Sequence, residues 1–169
     1  ARSSPGRRCN RKRYIPRMPT FDDRGLPTGS THEAARHAVE SALWRMMAFY
    51  DTPIADLDAA SVFDPAWPLP HAMKAGFLFS LTEPNLVAEA SQHLHAARAL
   101  INANTPARER AHVEALQLIE EGRWGAACRA WDLLLIDQPR DALALQWAPL
   151  WDFYRGDAPS LRLRPARAL

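Results

Sequence analysis

The chain has 169 residues, 47% of them hydrophobic and 24% charged, enough for one domain with a single core, and no run approaches the roughly 20 apolar residues of a membrane span. Its formal net charge of +2 hides two unlike regions, because seven of the 21 bases lie in residues 1–17 with no acid among them, leaving 14 bases against 19 acids in the rest. Cys9 and Cys128 are the only cysteines, which excludes a disulfide framework and a cysteine-rich zinc site and fits a reducing, cytoplasmic setting.

Residues 1–30 carry Arg7-Arg8, Arg11-Lys12-Arg13 and the turn-rich DDRGLPTGS without apolar periodicity, and they read as a disordered basic tail. Met18 heads a plausible start, MPTFDDRG, so residues 1–17 are expected to be upstream sequence or a solvated tail; a working basic arm or an organellar targeting peptide is the remaining reading. Only Lys12 and Lys74 are lysines, and the arginine bias reads as coding-sequence composition rather than a nucleic-acid surface. The helical domain is expected over 31–169. A first helix follows Ser30 and Glu33, which have capping-box spacing, and carries Ala35, Ala38, Val39, Ala42, Leu43, Met46 and Phe49 on one face. Thr52-Pro53 opens a second helix, Ile54 to Phe63. Trp67-Pro68 leads into a third, where Ala72, Ala75 and Gly76 make a small-residue stripe for a close neighbour. Thr82 and Pro84 start a fourth, with Val87, Ala90, Leu94, Ala97 and Ile101 inward.

Pro106 opens a fifth helix with the stripe Ala111, Ala115, Leu118 and Ile119, and a sixth carries Trp124, Ala127, Cys128, Trp131, Leu134 and Leu135. Gly122 at the turn, Trp124, a small Ala127 where two helices cross, Trp131 four later and Pro139 ending the second helix match the tetratricopeptide signature. A seventh helix starts at the cap Asp141, with Trp147 and Trp151 on one face and Pro149 expected to kink or break it. Gly156-Asp157 repeats the earlier turn, and an eighth helix begins there, interrupted by Pro165. The periodicities predict an all-α fold, an antiparallel helix-hairpin solenoid of tetratricopeptide-like repeats with about seven to eight helices.

ARERAHVEALQLIEEGRWGAACRAWDLLLIDQPRDALALQWAPLWDFYRGD, preceded by FDPAWPLPHAMKAGFLFSLTEP, resembles the amino-terminal region of the tetratricopeptide repeat protein 38 family, from about Ala34 to the end. The resemblance implies an all-helical solenoid without an established biochemical activity, whose members continue beyond Leu169 and often carry His where this chain has Pro149. It assigns no functional residue. No nucleotide-binding, hydrolase or zinc-protease motif occurs, and no cofactor is expected. His93 and His95 lie too far around a helix to converge on one metal. His71 and His112 are candidates to line a groove, while Trp151, Phe153 and Tyr154 are expected to form an exposed face open to self-association. The function expected is a protein-interaction scaffold for a protein or peptide partner. The alternative is an enzyme or small-ligand binder whose site lies in downstream repeats.

Overall fold

A computed structural model of the chain describes residues 20–167. Eight helices account for most of them: α1 (Glu33–Ala48), α2 (Ile54–Phe63), α3 (Pro68–Ser80), α4 (Val87–Leu100) after a 3-10 turn at Pro84–Leu86, α5 (Ala107–Glu120), α6 (Trp124–Asp137), α7 (Ala142–Arg155) and α8 (Ala158–Arg167). The fold is all-α and repeat-like, with short connections joining successive helices into hairpins.

The termini follow from residue chemistry. Gly122 and Gly156, 34 positions apart, end α5 and α7 in the left-handed conformation at φ +72° and +68°, where a Cβ would be strained. Asp141 caps α7 by accepting the Ala144 N–H at 2.8 Å. Asp157 does the same for α8 through the Ser160 N–H at 3.1 Å. Pro139 stands just after Gln138, which it holds out of the helical region, so α6 ends at Asp137. Pro149 does not break α7, and α8 likewise runs on past Pro165. The expected capping box is not formed either: α1 starts after His32 without a side-chain cap, and the Ser30 hydroxyl accepts the His32 N–H and donates to Asp64 at 2.7 Å.

The expectation of disorder to residue 30 fails for residues 20–30, while residues 1–19 lie outside the described chain. Thr20–Phe21 (β1) and Pro27–Thr28 (β2) pair antiparallel around a turn in which Asp22 Oδ1 accepts the N–H groups of Arg24 and Leu26, and Gly25 takes φ +73°. The polar side chain builds the turn that composition alone reads as disorder. Leu26 is buried, and the segment forms a strap tied to α1 through Arg24–Glu40 and to α5 through Gly29–Glu109, with Gly29 against Trp67 at the start of α3.

The hairpins do not simply stack in a line, because α7 returns to both α1 and α3. Gly76 makes the second contact possible: a Cβ there would lie 2.3 Å from Cζ2 of Trp147. Thus the small-residue stripe of α3 admits an indole from a helix about 70 residues away in sequence. Trp131, Trp147 and Trp151 are fully buried, and each aromatic of this kind removes about 150–250 Å² from water.

Candidate functional site

Where α1, α3 and α7 meet, their C-terminal halves leave a groove of about 240 Å³. Met46 and Phe49 come from the end of α1, Phe77 and Leu81 from the end of α3, and Trp147, Leu150 and Tyr154 from α7; Arg45 and Asp51 stand at the rim. Tyr154 is fixed there by donating its hydroxyl to the Ser80 carbonyl at 2.6 Å, and Gln146 donates to the Met46 carbonyl at 3.5 Å. Of the lining residues Phe49 is 81% exposed, and its chain neighbour Tyr50 is exposed with its ring 5.7 Å from that of Trp44. Arg45 is held by Asp56 at 2.7 Å and by Asp51 at 3.4 Å, so its charge is already met.

The backbone there is unusual as well. Among the described residues the non-glycine positions with left-handed φ are Phe49 (50°), Asp51 (62°) and Thr82 (55°), and all three lie at this groove or next to a residue lining it. Each costs about 1–2 kcal/mol for an L-residue, and a β-branched threonine is a marked outlier.

Behind the groove lies a buried polar network on α5. Arg108 donates to Asp141 at 2.5 Å and pairs with Asp22 of the strap at 3.5 Å. His112 sits 3.1 Å from the same Asp141 oxygen through Nε2, and its Nδ1 accepts the Trp131 indole N–H at 3.3 Å. An indole nitrogen only donates, so Nδ1 carries no proton and Nε2 must hold it, donating to Asp141. The Asp–His pair therefore has the composition of a general-base dyad but none of its access: the free lone pair is taken by Trp131 and both side chains are fully buried. Burial alone pushes the Asp141 carboxyl up, and His112, Arg108 and the Ala144 N–H together outweigh it and hold that carboxyl far below the usual aspartate range. Next to it, Glu109 is fully buried and accepts from Gly29 N–H (2.7 Å), Trp67 Nε1 (2.9 Å) and Thr28 Oγ1 (3.3 Å) with one oxygen, while Oε2 has no partner. Burial raises its affinity for a proton.

A second cluster fastens α8. Arg164 donates to Asp152 at 2.8 Å and to Asp132, and Arg155 donates to Asp152 at 2.8 Å and to Asp157 at 2.7 Å. The Cys128 thiol beneath them is pushed up to about 12 by burial and by Asp152, so it stays protonated and unreactive.

No protein-family model matches the chain, and no solved structure matches it at a significant level.

The sequence-predicted residues separate accordingly. Ala127 and Trp131 are core, Trp124 is partly buried with its ring 4.9 Å from Trp151, and Gly122, Pro139, Gly156 and Asp157 shape the helix ends. His112 does not line a groove; it is held inside by Asp141 and Trp131. Trp151 is not an exposed face, because α8 folds back over α7 and Trp124 and Tyr154 pack on its ring. Phe153 remains 65% exposed, and Tyr154 lines the groove. His71 faces His93 across α3 and α4, away from the groove lining. Arg108 and Glu109 escaped the sequence reading, whose α5 stripe of Ala111, Ala115, Leu118 and Ile119 was half right; Arg108 and His112 lie on the row 108, 112, 115, 119 with the buried Ala115 and Ile119, and Glu109 on the row 109, 112, 113, 116 with the buried Val113 and Leu116.

Among the described residues no helix is long and apolar enough to cross a membrane.

Proposed function

We propose that this protein is an interaction module that takes an apolar peptide segment of a protein partner in the groove between α1, α3 and α7. The observation that carries the reading is that two of the three left-handed non-glycine residues described, Phe49 and Asp51, line that groove and the third, Thr82, follows the lining residue Leu81, since backbone strain of this kind persists where surrounding structure and function hold it. Size points the same way. Ligand pockets typically run about 300–1,000 Å³, so a groove of about 240 Å³ suits one bulky anchor side chain of a peptide better than a whole cofactor. Resemblance to the tetratricopeptide repeat protein 38 family, and the 34-residue spacing of Gly122 and Gly156, support a repeat scaffold. The cytoplasm is the setting this reading assigns, on two cysteines without a disulfide pattern.

A displayed random-peptide library selected on the full chain tests it. Enriched peptides should share a large apolar anchor and should lose at least about tenfold in affinity on Leu81→Arg, roughly 1.4 kcal/mol, while binding Ile136→Glu normally. Selected peptides indifferent to Leu81→Arg, or a library that yields no binder, would overturn the proposal.

A further inference from the structure

We propose that His71 of α3 and His93 of α4 form a two-nitrogen chelate for a divalent transition cation of the zinc class. Their Nδ1 atoms face each other at 3.4 Å. The ring centroids are 5.7 Å apart with planes within 23°, so the centroid separation exceeds the nitrogen separation by about two ring radii and the rings meet edge to edge. Zinc–imidazole bonds of about 2.0–2.1 Å at a tetrahedral angle set two nitrogens about 3.4 Å apart, so the pair has the nitrogen spacing of a chelate, with the lone pairs still aimed along the line between them. A cation enters after a tilt of the rings that brings the two lone pairs together beside the line joining the nitrogens.

The surroundings favour nitrogens free of protons. Glu89, one turn before His93 on α4, has Oε1 3.9 Å from His93 Nε2. A carboxylate at the far nitrogen draws the ring proton there and leaves Nδ1 as a donor to metal, the arrangement that metal-bound histidines commonly use. Without a cation the His71 Nδ1–H donates to His93 Nδ1. On binding, His71 moves that proton to Nε2 through solvent, so two neutral imidazoles coordinate and no net proton is lost. Partial burial and the Lys74 ammonium lower the proton affinity of both rings, and Asp58, paired to Lys74 at 2.8 Å, offsets part of that positive charge. Both rings keep some exposure, so water completes the coordination shell. Among the described residues no third His, Cys, Asp or Glu is placed to make a larger ligand group, which sets this apart from a closed structural site. Imidazole donors suit zinc, copper and nickel over magnesium or calcium.

Calorimetric titration of Zn²⁺ into the full 169-residue chain is the test, with His71→Gln, His93→Gln and the exposed His95→Gln alongside. Wild type and His95→Gln should bind one zinc with equal affinity, and each of the other two should bind roughly tenfold more weakly or worse. Affinity should fall as pH drops through the imidazole range, because protons compete for the same lone pairs. Long-range nitrogen–proton spectra of the wild-type chain give an answer independent of any variant's folding: one equivalent of zinc should move the Nδ1 resonances of His71 and His93 together. Absence of saturable binding, full affinity in both variants, or resonance shifts confined to other histidines would overturn the site.

Discussion

Two glycine exchanges at single residues should run in opposite directions. In an exposed helix Gly→Ala gains about 1 kcal/mol, yet at Gly76 the new methyl meets the Trp147 ring at 2.3 Å, and overpacking of that kind costs about 1–3 kcal/mol. Gly76→Ala should therefore lower the urea midpoint. Phe49→Gly should raise the midpoint, with a gain in unfolding free energy of about 1 kcal/mol, because glycine accepts φ 50° without strain, while peptide binding in the groove weakens. The small-residue stripe that contains Gly76 was legible in the sequence; its partner was not, since nothing local ties residue 76 to residue 147. The buried charges make a pH prediction. Asp141 has a lowered proton affinity, so its stabilisation is present above the ordinary aspartate range and is lost as pH falls through the lowered value. Glu109 has a raised one, so its contribution is complete below the ordinary glutamate range and is lost as pH rises through the raised value. Urea melts across pH should show wild type losing ground to Asp141→Asn at the acid end and to Glu109→Gln on the alkaline side.

Among the elements, the strap is the one that composition concealed. Its turn is made by an aspartate side chain and a glycine, residues that serve disorder and tight turns alike, and its anchor, Glu109, lies some 80 residues on. Deleting residues 1–17 should leave the melting temperature unchanged. Deleting 1–30 should lower it clearly, because Leu26 is lost, the Trp67 face opens, and the Glu109 carboxylate loses its Gly29 and Thr28 donors. The link before α3 was likewise underrated in the sequence: Trp67 is 2% exposed and donates to Glu109. Trp131→Ala and Trp67→Ala should then both be severe, about 3–5 kcal/mol by chemical denaturation, with Trp131 the worse because besides its bond to His112 its ring packs 5.7 Å from that of Trp147. Most helix ends were readable from Pro53, Pro68, Pro106, Gly122, Pro139, Asp141 and Gly156, whereas Pro149 and Pro165 read as breakers and are carried inside α7 and α8.

For the molecule as a whole, helical period set the fold class, and circular dichroism should show helix with at most a trace of strand from the strap. The curl that brings α7 back to α1 and α3 was not in the local pattern. Linear repeat arrays are held by nearest-neighbour contacts, so they can fray from an end and gain or lose units. Here Gln146 bonds Met46 across 100 positions and Tyr154 bonds Ser80 across 74, which makes the seventh helix a neighbour of both the first and the third. Closing such long loops adds only about 0.6 kcal/mol per doubling of length, but it must occur before the contacts return anything, which slows folding. The chain should therefore refold in milliseconds or slower, and a variant with one hairpin excised should not be a shorter version of the same protein. It would lose the meeting of residue 76 with residue 147, and the arc would have no end to close upon.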